Sequence, residues 1–220
     1  MLGPRLGIRE QVFFQLREEI ISLQLEPGTM VSESELAARL KVSRMPVHDA
    51  LMALSQNHLV DIYPQRGSQI SLIDLKWVDE ARFIRQTLET AVTLDLFHVM
   101  TEDRLLQLKN SIQKQVFCME NGMIEEFFRE DNSFHKMLYT FAGRDESWRI
   151  VKDMMTHFDR IRTMTLYVNP HQGLIEDHQE WVRAIEKHDA GTVKVLIDRH
   201  LRNYEKNIEA VKEKYAAYFK

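Results

Sequence analysis

The chain has a single cysteine, Cys118, among 220 residues. No intrachain disulfide can form, and no zinc site with two or four cysteines can be built. No apolar run approaches the roughly 18 residues that a membrane-spanning helix needs, and the stretch Met1 to Ile8 lacks the apolar core of a signal peptide. These absences predict a soluble, cytoplasmic protein with no membrane partner. Positive charge is not in excess either: Lys+Arg is 29 against Asp+Glu 33, a formal net charge of −4. A histone-like or polybasic coating protein is excluded. What remains is ordinary globular material, 44% apolar and 28% charged, which leaves little room for disorder.

Turn formers are scarce, with 8 Gly and 5 Pro, and they are unevenly placed. Pro4, Pro27, Pro46 and Pro64 crowd the first 67 residues, whereas from residue 74 onward only Pro170 and four glycines occur. Nearly 150 residues so poor in breakers predict a helical bundle. A boundary near Ile73–Asp74 gives two domains, 1–73 and 74–220. Residues 1–72 carry a net charge of −1, yet the stretch 36–67 is net +2, from Arg39, Lys41, Arg44 and Arg66 against Asp49 and Asp61. A local positive face is thus compatible with a weakly acidic domain.

Val12, Leu16, Ile20 and Leu23 form one helical stripe over roughly residues 9–24. Leu25-Glu26-Pro27-Gly28 ends it. Ser32-Glu33-Ser34-Glu35 reads as a capping box for a second helix, with Leu36, Ala37 and Leu40 inward. Lys41-Val42 is a short turn, and Ser43 reads as the N-cap of a third helix with Pro46 in its first turn. After Asn57-His58 the period changes to two. Val60 and Ile62, then Ile70 and Leu72, alternate about a Pro64-Gln65-Arg66-Gly67 turn. Three helices and a hairpin in this order predict a winged helix-turn-helix.

That geometry has a chemistry. The third helix can enter a major groove with its N-terminal residues leading, which would place Ser43, Arg44, Met45 and His48 against double-stranded DNA. Arg44 can fork onto a guanine or hold a phosphate, and Arg66, with Gly67 at the wing tip, can reach phosphate or a minor groove. The same pattern also fits a capped surface helix with solvated charges.

The second domain reads as about six antiparallel helices, over residues 74–100, 102–119, 122–142, 146–168, 174–188 and 190–216, with Asp74, Thr101, Asn121, Asp145 and Asp189 as N-caps. Four polar residues stand out on apolar faces. Asp131 and His135 are spaced i, i+4 beside Phe127, Phe128 and Leu138. His178 lies among Ile175, Trp181, Val182 and Ile185; His200 lies among Leu196, Ile197, Leu201 and Tyr204. Three imidazoles and one carboxylate from three helices can converge on a divalent cation (Zn, Ni, Mn or Fe), leaving positions open for water or a ligand. Each histidine alone fits a satisfied core residue equally well.

Residues 9–72 closely resemble the winged-helix domain of the GntR family of bacterial transcriptional regulators. The resemblance lies in Leu25-Glu26-Pro27-Gly28, Ser32 to Ala37, Lys41 to Leu51, Leu59-Val60 and Pro64 to Gly67. One departure matters. His48-Asp49 stands where the family usually has Arg-Glu, and that arginine normally contacts DNA. A shorter, mostly neutral side chain implies either a different operator or a weaker, more pH-dependent contact. Met45 replaces a common threonine. Arg85 to Glu89, Asp131 to His135, Asp177-His178-Gln179 and Asp198 to Leu201 are similar to the FCD domain of the FadR subfamily. Its metal-dependent members use an Asp and three His, which implies Asp131, His135, His178 and His200 as ligands. His98, His157, His171 and His188 match no motif and read as surface or packing residues.

The resemblance further implies a cavity for a small carboxylate effector, oriented by a guanidinium. Arg85 is the first candidate, on the apolar face of its helix with Ala81 and Leu88, followed by Arg160 and Arg162. A buried Arg85–Glu89 pair is the competing reading of Arg85. The expected protein is mainly α: a winged helix-turn-helix ahead of a metal- and effector-binding bundle. It would be a homodimeric, ligand-responsive regulator on a pseudo-palindromic operator, not an enzyme. A sensor of metal alone, or a metal-dependent hydrolase, are the alternatives.

Overall fold

The computed structural model describes residues 7–170 and 173–220. The signal-peptide reading of the first residues, apart from Gly7 and Ile8, and the reading of His171 lie outside them. Helix α1 (Ile8–Ile21) buries Val12, Leu16 and Ile20, as the stripe requires, but ends at Ile21, short of the expected residue 24. Leu23 has turned into the left-handed region, φ 65°, so the chain leaves the helix before the Pro-Gly pair. A two-residue strand β1 (Met30–Val31) follows, too short to show a period. The capping box of α2 (Glu33–Leu40) is made: Glu35 N donates to Ser32 Oγ at 3.2 Å and Ser32 N to Glu35 Oε2 at 3.3 Å.

Helix α3 (Arg44–Gln56) starts after Ser43, whose hydroxyl makes no cap hydrogen bond, so the expected Ser43 cap is only an extended backbone entry. Strands β2 (Val60–Tyr63) and β3 (Gly67–Ile70) pair antiparallel from Val60↔Ile70 to Tyr63↔Gly67. β1 adds to the other edge of β3, for the order β1-β3-β2. The Gly67 position demands glycine: φ is +99°, and a Cβ there would lie 3.2 Å from the Val31 carbonyl oxygen. Val12, Leu16, Leu36, Val47, Leu54 and Ile70 share the core of this unit.

The helical part comprises α4 (Leu75–Leu96), α5 (Glu102–Glu120), α6 (Ile124–Phe141), α7 (Asp145–Met154), α8 (Thr156–Val168), α9 (Leu174–Glu186), α10 (Ala190–Leu201) and α11 (Ile208–Lys214). Two of the expected helices are broken. The one over 146–168 divides at Met155, beside the Lys152 carbonyl that accepts Arg17 Nη2 from α1 at 2.8 Å. The one over 190–216 leaves α-helical geometry after Leu201, passes through a 3₁₀ turn, Asn203–Asn207, and resumes as α11. Asp74, Thr101 and Asp189 cap α4, α5 and α10 through their side chains. Asn121 instead closes α5, and Asp145 is the first residue of α7.

The bundle core gathers around Phe134, Leu138, Trp181, Ile185 and Leu196. A smaller cluster of Ile21, Cys118, Phe127, Phe128 and Leu166 joins α1 to the bundle. Among the described residues, no helix is long and apolar enough to cross a membrane.

Candidate functional site

Asp131 and His135 on α6, His178 on α9 and His200 on α10 come together in the bundle, with one ligand atom from each lying within 4.8 Å of all the others. Successive i, i+4 positions put the first two on the inward stripe of α6. Apolar flanks do the same for His178 and His200. All four side chains are buried. Phe134 stacks on His178 at 4.2 Å, and the imidazole centroids of His178 and His200 are 4.6 Å apart.

Each imidazole turns Nδ1 toward a partner outside the cluster. His178 Nδ1 donates to Gln115 Oε1 at 2.8 Å; His135 Nδ1 sits 3.2 Å from Glu89 Oε2; His200 Nδ1 sits 3.6 Å from Asp177 Oδ2. The Gln115 hydrogen bond fixes the His178 tautomer and leaves its Nε2 as the lone-pair atom, whereas Nδ1 of His135 and of His200 lies beside a carboxylate without a hydrogen bond. His135 Nε2 and His178 Nε2 each lie 3.8 Å from an Asp131 oxygen. Both atoms, and Asp131 Oδ1, are buried with no hydrogen-bond partner. A buried polar atom left unpaired is costly, so this donor set is one that a cation would complete.

Electrostatics agree. Burial, then the charge of Arg85, holds the His135 imidazole well below its ordinary value. Burial, then His200, brings His178 down to about 3. Burial opposes ionisation of Asp131, but the Arg162 guanidinium, the largest opposing influence, holds the carboxyl well below the usual range. Neutral imidazoles beside an ionised carboxylate are the protonation states a metal needs.

The three candidate arginines have different fates. Arg162 pairs with Asp131 and also reaches Asn132 Oδ1 at 3.2 Å and Asp159 Oδ1 at 3.1 Å. With His200, Thr165 and Tyr204 it lines a cavity of about 20 Å³ next to the cluster, room for about one water. Arg85 is fully buried and makes the pair with Glu89, Nε to Oε1 at 2.6 Å, but its Nη2 has no partner. Arg160 does not join them. Its guanidinium donates to the Ser71 carbonyl at 2.6 Å and to Ser71 Oγ at 3.3 Å, and it lies 3.0 Å from His157 Nδ1. The expectation of Arg160 in the effector cavity is therefore replaced by a place between the two halves, where its planar fork fits a carbonyl and a hydroxyl together.

Sequence reasoning missed Gln115 and the outer roles of Glu89 and Asp177. The only local signals were the Arg85–Glu89 spacing and the adjacency of Asp177 to His178. His157 is buried at the same joint as Arg160, and His98 and His188 are exposed.

At the other end, α3 presents Arg44, Met45 and His48 to solvent, and the β2–β3 turn presents Arg66. Arg44 and His48 share one carboxylate: Arg44 Nη2 donates to Glu33 Oε2 at 3.3 Å, and His48 Nδ1 donates to Glu33 Oε1 at 2.8 Å. The His48 hydrogen bond is the main influence holding Glu33 below its ordinary pKa. Glu33, at the start of α2, was not foreseen here because its sequence role was the capping box. A leading helix end with an exposed arginine, flanked by a wing, has the shape and donors that a DNA groove takes.

Comparison with known proteins agrees with both halves. Residues 8–70 match the family described as bacterial regulatory proteins, gntR family, and residues 80–203 match the FCD domain. The HTH-type transcriptional repressor RspR of Escherichia coli (strain K12) is 30% identical over 219 residues, 99% of this chain and 96% of that one. The gluconate operon transcriptional repressor of Bacillus subtilis (strain 168) is 27% identical over 192 residues, covering 83% and 76%. The solved structure of E. coli McbR/YncC superposes with a TM-score of 0.79 at 20% identity, over 96% of this chain and 99% of that one, a likeness of fold. The family model and the two curated relatives are of transcriptional regulators, which removes the hydrolase alternative. The two matches fall in order on the winged head and on the helical bundle, and the chain belongs to the GntR family of DNA-binding transcriptional regulators, with an FCD domain.

Proposed function

We propose that this regulator binds a divalent metal at Asp131, His135, His178 and His200, takes a small carboxylate effector at that metal, and acts as a homodimer on a pseudo-palindromic operator. The observation that carries the reading is the set of buried, unpartnered atoms, Asp131 Oδ1, His135 Nε2 and His178 Nε2, backed by Glu89, Gln115 and Asp177. When bound, the metal would supply a positive centre for an anionic ligand. The rest falls to the chain's own residues. Arg162, at the cavity wall, and Arg85, with an unpartnered Nη2, orient the carboxylate of the acid. Phe127, Phe158 and Leu201 exclude water.

On the DNA side, Arg44 reads a base or holds a phosphate, Met45 packs on the groove floor, and the amides after Ser43 bind phosphate. His48 stands where the family's arginine contacts DNA and makes a shorter contact there, and Arg66 with Gly67 carries the wing to the backbone. Twofold symmetry of the protein requires a twofold site.

Native mass spectrometry of the purified protein tests subunit count, metal and retained acid together. The His178→Ala/His200→Ala double variant loses the metal while keeping its helix content; full metal occupancy in that variant overturns the assignment. The narrow cavity, about 20 Å³, favours one second reading, a sensor of metal alone. In that case operator affinity responds to free metal in the micromolar range, and no acid is retained after gentle purification.

A further inference from the structure

We infer that Arg162, Asp159, Lys152 and Arg17 form the connection by which occupancy of the metal centre is felt by the DNA-binding half. The inference rests on the metal reading above and names its regulation. The chain of contacts is continuous. Asp131 in the cluster pairs with Arg162, and Arg162 Nη1 donates to Asp159 Oδ1 at 3.1 Å. Lys152 Nζ donates to Asp159 Oδ2 at 2.9 Å. The Lys152 carbonyl accepts from Arg17 Nη2 at 2.8 Å. Arg17 belongs to α1, the first helix of the winged domain, and is itself buried.

Charge alternates along the first four members, minus, plus, minus, plus. Asp131 and Asp159 are fully buried, so each carboxylate depends on its cation rather than on water.

The chain crosses the molecule where it is jointed. Lys152 lies in the last turn of α7 and Asp159 in the first turn of α8, so their ion pair spans the break at Met155. The same first turn of α8 seats the reading head. Thr156 Oγ1 donates to the Asn57 carbonyl at 3.1 Å, His157 Nε2 lies 3.1 Å from the His58 carbonyl, and Arg160 holds Ser71. Asn57 closes α3, and Ser71 follows β3. Movement at the break therefore reaches the recognition helix and the wing.

Asp131, as a ligand, would share its carboxylate between Arg162 and a positive charge, which would weaken the Asp131–Arg162 pair. Arg162 would then rely on Asp159 and Asn132, which would weaken the hold of Asp159 on Lys152 and loosen the α7–α8 corner that Arg17 grips. The first three links exchange ion-pair partners and the last is a guanidinium–carbonyl hydrogen bond, a small set of discrete arrangements that both sites bias.

Hydrogen–deuterium exchange on the full chain tests this without knowledge of the operator. Zinc is added to protein stripped by EDTA, and uptake is followed by peptide. In the wild type, zinc lowers exchange around 131–135 and changes it at 8–22 and 152–160. In Lys152→Met the response at 131–135 is kept and the response at 8–22 is lost. Arg17→Met, at the surface of contact and outside the bundle core, gives the same separation should Lys152→Met fold poorly. A response at 8–22 that persists in a folded variant, or that is absent from a wild type responding at 131–135, overturns the connection alone. A wild type with no response at 131–135 overturns the metal reading and the connection with it.

Discussion

Replacing Arg162 by methionine exposes how the cluster is held together in metal-stripped protein. Asp131 has no exposed surface and the Arg162 side chain is 13% exposed, so the pair is screened little. At an effective dielectric of about 20, unit charges about 4 Å apart attract by roughly 4 kcal/mol. Removing one member of a buried pair typically costs about 3–5 kcal/mol, because the other is left uncompensated. His135 and His178 are held neutral and supply no replacement charge. Asp159 loses a partner too, but it keeps Lys152.

The expected cost without metal is therefore about 3 kcal/mol or more, a fall in melting temperature of roughly 6–12 °C for a domain of this size. Thermal unfolding with EDTA measures it. The same substitution in an Asp131→Asn background is expected to cost less than about 1 kcal/mol, since no carboxylate is left stranded. Zinc at 100 times its dissociation constant restores about 2.7 kcal/mol to Arg162→Met. Equal costs with and without the Asp131→Asn change would refute the reasoning, because the loss would then come from packing against Phe128, whose ring lies 4.8 Å from the guanidinium carbon.

Three further outcomes are expected. His178 and His157 are brought down to about 3, by burial first and then by His200 and Arg160 respectively, and His135 also lies well below its ordinary value. The unfolded chain therefore binds more protons below about pH 6.5, and stability is lost as pH falls from there toward 3. Each histidine contributes up to about 1.4 kcal/mol per pH unit. Urea midpoints of metal-stripped protein should drop between pH 7 and pH 5, and a flat profile contradicts the burial of these imidazoles. Arg44→Ala should weaken operator binding by about 1–3 kcal/mol in a titration at fixed salt, and unchanged affinity removes Arg44 from the interface. His48→Arg should tighten binding to duplex DNA and steepen its salt dependence, by placing a permanent cation where His48 now shares Glu33 with Arg44; an unchanged salt slope counts against that contact.

Local periodicity carried the reading head well, because each of its elements is specified by near neighbours. Val12, Leu16 and Ile20 are buried at helical spacing, Ser32 and Glu35 close on each other across three residues, and Gly67 sits where a side chain would strike Val31. The four cluster residues were likewise visible as polar positions on apolar helix faces. What escaped depends on distant partners. Gln115 is 63 residues from His178, and a polar residue on an amphipathic helix has no pattern that announces a buried acceptor. Arg17 lies 135 residues from Lys152 and read as an ordinary helix charge. Strand β1 has two residues, too few for any period, and is held in place by Gln69 and Ser68 across the sheet. Arg160 looked like Arg162 in sequence; the two positions on α8 separate only when the hairpin is packed against one side of the helix and the cluster against another.

That separation explains why one helix suffices to link sensing to reading. Positions two apart on a helix point about 200° from each other, so Arg160 and Arg162 face nearly opposite ways. One holds Ser71 of the reading head, and the other holds Asp131 of the cluster. Arg160 has no carboxylate in its grip, and burial brings it down to about 9, so it is a costly way to join two halves. An apolar side chain would seal the joint more tightly but would accept many registers. A guanidinium fork on one carbonyl and its own residue's hydroxyl accepts only one. The halves are thus joined by a contact that is specific in geometry and modest in strength. Joints of that kind can be reset by a change of a few kcal/mol at the far side of the same helix.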